Sequence, residues 1–341
     1  MKTCAYIGVL SALSGVYGWG DPGHEAFLAP NALSFVQSSL TSAYNGSLGP
    51  AAPWADEVRK EAEYKWSAAY HFVDAEDNPP TSCSVNETRD CGDEACILSA
   101  IANYTTRVVD ASLSALERQE ALKFLDHFLG DITQPLHVEA LEVGGNAITV
   151  TCNGSSTNLH LTWGTVPLFS CVLLLNVSFF QTDNGLIAML LVANYSNSSM
   201  TWANSLAERI KANPTETELQ SKRGITIAED ITNLLSRKDI ESHATTSLKC
   251  PFTWAQDTNM LDCSYVFSFT NGTDLCNSSY YTSAIPIIET QIAKGGYRLA
   301  AWLNALFDNT TNLLSSDTEE NLHREALGQY KLHQQNIDYY M

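Results

Sequence analysis

Basic residues are scarce in this chain: 19 Lys and Arg stand against 38 Asp and Glu, a formal net charge of −19 at pH 7. Proteins that hold the phosphate backbone across a surface do so with Lys and Arg, so capture of nucleic acid by a basic face is excluded. Internal repeats, long linkers and low-complexity runs are missing as well. The length suits one large domain or two small ones, with enough apolar content for a buried core. Strand signals are few. The best is NAITVT, Asn146 to Thr151, followed by the turn-prone NGSS, which predicts a small hairpin.

What is present reads as helix. EAFLAPNALSFVQSSL, DEACILSAIANYTTRVVD, RQEALKFLDHFLGD, GITIAEDITNLLS and IPIIETQIAKGGYRLAAWLNALFD all place apolar residues at three- and four-residue intervals. The expectation is an all-α chain with a metal-binding cleft between helices.

The first residues point to the secretory pathway. Lys2 gives a weakly positive start, Ala5 to Ala12 a short apolar core, and Val16 with Gly18 the small residues at which a signal peptidase cuts. Residues 1–18 are thus read as a signal peptide, and the mature chain begins at Trp19. Ten N-x-S/T sequons agree with that route: Asn45, Asn86, Asn103, Asn153, Asn176, Asn194, Asn197, Asn271, Asn277 and Asn309. So do nine cysteines, since disulfides persist in oxidising surroundings. Cys4 leaves with the signal. Cys91 and Cys96 are close enough for a local bridge, and Cys83, Cys250, Cys263 and Cys276 are candidates for longer ones, Cys83 and Cys263 foremost, with the connectivity open. A zinc–cysteine site is disfavoured because no second CxxC-like pair completes a tetrad.

Five of the eight histidines fall in short segments interleaved with aspartate: GWGDPGHEAF, SAAYHFVDAEDNP, DHFLGDITQPLHVEA and NLHLTW, with WADEVR adding another carboxylate. Imidazole nitrogens and carboxylate oxygens are what zinc binds outside cysteine sites, and the density of candidates supports more than one ion. His127 and Asp131 are four residues apart and share one helix face. Pro135 then ends or kinks that helix, which returns His137 to the same cleft. Bound zinc would supply local positive charge that the surface lacks.

These motifs together (Trp-Gly with His24 five residues after Trp19, WADxxR, HFVD, HFxGDxxQPLH, TNLHxTW and GYRLAAWLN) resemble the secreted zinc-dependent nucleases of fungi and plants, the S-one/P-one nuclease family, from Trp19 to about Phe307. The resemblance implies a single helical domain over residues 19–307, of the type shared with zinc phospholipase C, with a trinuclear zinc cleft. It implies that the α-amine and carbonyl of Trp19, with His24, hold one zinc; that Asp56, His71, His127 and Asp131 hold a second, Asp131 bridging; and that His137 and His160 hold a third. It implies hydrolysis of the bond between phosphorus and the 3′ oxygen in single-stranded RNA and DNA, and in 3′-nucleotides, to leave 5′-phosphates. Zinc lowers the pKa of a water to roughly 7, which makes a nucleophile available under mild conditions. Arg59 and Asp56 are the catalytic candidates at the phosphate. Phe72 is placed to stack on an unpaired base, Asp74 to accept a hydrogen bond from a base edge, and Asn158 to lie near the substrate. A secreted monomer, free of the membrane once the signal is removed, is expected.

One departure stands out. The resemblance implies a carboxylate for the third site directly after Trp163, where this chain has Gly164 and a stretch without charge, GTVPLFSCVLLLNVSFFQT, to Thr182. Deleting residues 164–182 restores NLHLTWDNGLI. The stretch reads as an in-frame insertion, a retained intron whose Gly-Thr codons can hold a splice-donor GT, with Asp183 as the ligand. A membrane anchor is the other reading, but the run falls short of the roughly 20 apolar residues a span needs. Two alternative functions accompany these: a zinc phospholipase C, and a catalytically silent secreted glycoprotein whose third site the insertion spoils. The polar tail 308–341 has no assigned role, and His243, His323 and His333 lie outside every motif.

Overall fold

The computed structural model describes residues 27–40, 43–92, 95–164, 185–212, 227–236 and 248–308. Trp19, His24, Asn176, Asp183 and Asn309, the signal segment, nearly all of the apolar stretch and the tail lie outside these residues. The described α-helices are α1 (Pro30–Ser39), α2 (Leu48–Ala51), α3 (Trp54–Val58), α4 (Glu87–Asp90), α5 (Ile97–Val109), α6 (Ala115–Asp131), α7 (Leu159–Gly164), α8 (Leu186–Asn194), α9 (Ser199–Ala212), α10 (Ile227–Leu235), α11 (Lys249–Leu261) and α12 (Ser279–Asp308). Short 3-10 turns at Lys65–His71 and Pro135–His137, a π-helical turn at Asp262–Val266 and one hairpin complete the described elements. The chain is all-α in class, as the apolar periodicity predicts. Among the described residues no helix is long and apolar enough to cross a membrane.

Local chemistry sets the helix limits. Pro30 opens α1, later than the pattern from Glu25 suggested, because proline lacks an amide hydrogen and suits the first turn. Ser114 begins α6 with a capping box: its hydroxyl accepts from the Glu117 amide at 3.3 Å while Glu117 Oε2 accepts from the Ser114 amide at 2.9 Å. α5 and α6 lie side by side, and α12 packs across α1, α6, α8 and α10. Trp302, Phe124, Phe128, Leu122 and Ile97 fill the space between them. Gly295 lets α12 pass close to the end of α6, since a Cβ there would meet Thr133 Oγ1, just beyond α6, at 3.3 Å and Gly130 Cα at 3.8 Å.

The ends of this core hold each other. Asn304 of α12, fully buried, accepts from the Ala29 amide at 2.7 Å and donates to the Phe27 carbonyl at 2.8 Å. Asp308, the last residue of α12, caps α1, accepting from the Asn31 and Ala32 amides at 3.0 and 2.8 Å.

The hairpin pairs β1 (Thr149–Cys152) with β2 (Ser155–Asn158) in antiparallel register. Its turn residues Asn153 and Gly154 have φ of 51° and 74°, the left-handed pair that a two-residue hairpin demands. Disulfides join Cys83 to Cys263, Cys91 to Cys96 and Cys152 to Cys276, while Cys250, a candidate for a long bridge in the sequence, is buried and free. The sequon asparagines among the described residues, Asn45, Asn86, Asn103, Asn153, Asn194, Asn197, Asn271 and Asn277, all reach the surface at least in part.

Candidate metal centre

Five elements converge on one point. α3 contributes Asp56, the Lys65–His71 turn ends on His71, and α6 contributes His127 and Asp131 one turn apart. The chain then turns at Pro135 and brings His137 back beside Asp131, while α7 supplies His160. Asp131 Oδ2 stands 3.1 Å from both His71 Nδ1 and His127 Nε2, and Asp131 Oδ1 is 3.5 Å from His137 Nδ1. Asp56 lies 3.7 Å from His71 Nδ1 and 3.8 Å from His127 Nε2. Asp56, His71 and His127 each bring a ligand atom within 4.8 Å of the others. A tetrahedral zinc, with ligands at 2.0–2.1 Å, would space them about 3.3 Å apart, so the observed separations bracket a metal's coordination edges.

The histidines are oriented for ligation. His127, His137 and His160 each direct Nδ1 at a main-chain carbonyl: Ala52 at 2.7 Å, His71 at 3.0 Å and Gly144 at 2.8 Å. With Nδ1–H donated to a carbonyl, Nε2 is the nitrogen left to bind a metal once it gives up any proton of its own, the arrangement that metal-binding imidazoles use. Buried His71 Nε2 has no hydrogen-bond partner, and His127 Nε2 is paired with Asp131 Oδ2 as an ion pair at 3.1 Å. Gly144 is required where it stands, with φ of 56° and space so tight that a Cβ would sit 2.5 Å from the Leu136 carbonyl.

Charge reinforces the geometry. Burial would lower the His127 pKa, but Asp131 and Asp56 outweigh it and hold the imidazole at about 9. Burial likewise opposes ionisation of Asp131, yet His127 and His137 keep its carboxyl well below the usual range. His160 falls to about 4 through burial and the neighbouring His137, with which it stacks at 5.1 Å. Ionised carboxylate beside imidazoles, buried and close-spaced, is a donor set that a divalent cation satisfies by displacing protons.

The remaining candidates lie close in sequence to the ligands. Arg59 Nη2 is 3.0 Å from Asp56 Oδ1, both side chains partly exposed. Phe72, 36 % exposed, follows His71 directly. Its carbonyl accepts from the Ile97 amide at 2.9 Å, and the Val73 amide donates to the His137 carbonyl at 2.9 Å, which ties this segment to the ligands. Asp74 has its pKa raised by burial and by Glu76 and Asp90. Asn158 uses Oδ1 to cap α7, accepting from the Leu161 amide at 2.7 Å, and so helps to place His160.

The sequence reading missed Asp126. It lines a cavity of about 70 Å³ behind His127 and Asp131, together with Trp163, Ile187, Ile288, Ile292 and Leu299. Asp126 is 3 % exposed, its Oδ2 is without a hydrogen bond, and burial drives its pKa far up. A charged residue among the apolar positions of a helix was the only signal for it.

Comparison with known proteins agrees with this geometry. The chain is 40% identical over 299 residues to Nuclease P1 of Penicillium citrinum, covering 84% of this chain and 97% of that protein. It is 39% identical over 302 residues to Nuclease S1 of Aspergillus oryzae (strain ATCC 42149 / RIB 40), covering 85% and 92%. It is 30% identical over 318 residues to Endonuclease 4 of Arabidopsis thaliana, covering 87% and 92%. The family model for S1/P1 nuclease matches residues 19–308, and the chain belongs to that family, a phosphodiester hydrolase with a nucleic-acid substrate.

Proposed function

We propose that this chain is a secreted, monomeric, zinc-dependent endonuclease that cleaves single-stranded DNA and RNA, and 3′-nucleotides, between phosphorus and the 3′ oxygen. The convergence of Asp56, His71, His127 and Asp131 carries the reading. These four would hold one zinc. His137 and His160, with Asp183, would hold another, and Trp19 and His24, with Asp131, a third. The cavity supports the Trp19 assignment, because it borders His127 and Asp131 and is lined by α12, the helix whose Asn304 clamps Phe27. The eight residue steps from Trp19 to Phe27 can reach about 26 Å when extended. Domain limits follow the same reading: a signal at 1–18, a catalytic domain at 19–307, an insertion at 164–182 and a tail at 308–341.

Bound zinc supplies Lewis acidity toward phosphoryl oxygens and eases deprotonation of a water near neutral pH. The chain's own residues do the rest. Arg59 holds a non-bridging phosphate oxygen, competing with its contact to Asp56. Phe72 offers an exposed ring to an unpaired base, worth roughly 1–3 kcal/mol, which accounts for preference for single strands. Asp74 faces the base edge, and the Asn158 amide completes the wall nearest His160. Water adds to phosphorus, the bond to the 3′ oxygen breaks, and the products are a 3′ hydroxyl and a 5′ phosphate.

The test is metal analysis and amino-terminal sequencing of the purified mature protein, with paired assays on single-stranded DNA and phosphatidylcholine. Three zincs per chain, a start at Trp19 and 5′-phosphate products support the proposal. Phosphatidylcholine hydrolysis in preference to DNA cleavage would favour a phospholipase C. One or two zincs without cleavage would favour a silent glycoprotein.

A further inference from the structure

Trp66 is the most conspicuous aromatic outside the centre: 53 % exposed, yet rigidly held. Its Nε1 donates to the Glu63 carbonyl at 2.8 Å, and its ring packs against Phe124 and Tyr70, each at 5.8 Å between centroids, and against Tyr64 at 6.3 Å. Burying apolar area would be favourable, so a fixed, half-open indole is an unmet surface with its orientation already settled. Two links lead from it to the metal ligands. Trp66 lies in the Lys65–His71 turn that ends on His71, and Phe124 precedes His127 by one turn of α6.

We propose that Trp66 is a second stacking platform, taking a further base of the strand whose scissile phosphate sits at the centre and whose neighbouring base lies on Phe72. This rests on the nuclease reading above. A 3-10 turn rises about 2 Å per residue, so Trp66 and Phe72 are roughly 12 Å apart along it. A single strand covers that distance in about two to four nucleotides, given about 3.4 Å per stacked step and more when stretched. Exposed Lys60 and Lys65 are near Trp66 in sequence, but exposed Glu61 and Glu63 offset their charge. Attraction to phosphate there is therefore weak, and the contact is made through the ring face, which any base can use.

The experiment compares the mature enzyme with Trp66→Ala and Trp66→Phe by steady-state kinetics on a thymidine dinucleotide and a thymidine nonanucleotide, at low and high salt. In Trp66→Ala the ratio of KM for the nonanucleotide to KM for the dinucleotide should rise about 5- to 10-fold. The rise should be nearly independent of salt, and Trp66→Phe should recover most of it. An unchanged ratio overturns the proposal. So does an equal fall of kcat on both substrates with a lowered melting temperature, because Trp66 would then be packing alone. If the unaltered enzyme cleaves neither oligonucleotide, the nuclease reading falls and this one with it.

Discussion

Replacing Asn304 with Leu tests whether the clamp on the chain's start is structural and functional at once. The side chain is fully buried, and Phe27 and Ala29 are each 2 % exposed. Water therefore does not replace the bonds of 2.7 and 2.8 Å that Asn304 makes to them. Leucine keeps the volume and leaves a buried amide and a buried carbonyl without this partner. Each such loss costs about 1–3 kcal/mol, so the pair costs about 2–6 kcal/mol. At about 2–4 °C per kcal/mol for a domain of this order, the melting temperature should drop by roughly 5–20 °C. Because the clamp anchors the segment that leads back to Trp19, zinc content should also fall while Asp56, His71, His127 and Asp131 are untouched. Thermal melting and metal analysis by mass spectrometry read both effects. Asp308→Asn is the control, since it weakens only the surface cap on α1. A melting shift for Asn304→Leu below about 2 °C, or smaller than the control's, would refute the reasoning.

Other outcomes follow from the same geometry. Asp131→Asn removes the charge nearest His71, His127 and His137; kcat on single-stranded DNA should fall by about two orders of magnitude or more, since even outer-shell losses reach 10- to 100-fold. Gly144→Ala meets both the positive φ and the 2.5 Å approach to the Leu136 carbonyl; zinc titration should show affinity weakened about 10- to 100-fold through the displaced acceptor of His160. Stability should fall as pH rises from about 4.5 to about 8. Burial holds the Glu139 carboxyl protonated to about 8 and Asp77 adds to it, while burial, Glu139 and Asp77 raise Asp262. The unfolded carboxyls titrate near 4. At these two carboxyls the folded state therefore binds more protons than the unfolded one, and the stability they contribute is complete below the window and lost as pH rises through it. Urea midpoints measured across this range should decline, and Glu139→Gln should flatten the decline. Sequencing transcripts across the Trp163 codon should reveal a junction lacking residues 164–182; uniform presence of the segment would refute the intron reading.

Much of the centre was legible because its chemistry is written in side chains. His127 and Asp131 share a helix face by spacing alone, and Pro135 announces the turn that returns His137. The helices with a clear apolar stripe, α5, α6, α10 and α12, were legible for the same reason. α8 was not, since LIAMLLVAN is apolar on every side and carries no period. α9 and α11 were also missed. The Cys152–Cys276 bond could not be read because it depends on a tertiary meeting. Asp274 lies beside β1, with its carboxylate accepting from the Asn153 and Gly154 amides at 3.0 and 2.7 Å, and only that docking brings Cys276 to the hairpin. The groups that orient the imidazoles escaped for a different reason: Ala52, His71 and Gly144 act through peptide oxygens, which no letter of the sequence announces.

That last property bears on how such a centre endures mutational drift. A carboxylate that steers an imidazole can be deleted by one codon change, whereas a peptide oxygen persists under every substitution that leaves the local chain path alone. Selection then has only to preserve the ligands and the backbone course at three places. Neighbouring side chains are free to diverge, and the tautomers survive beneath them.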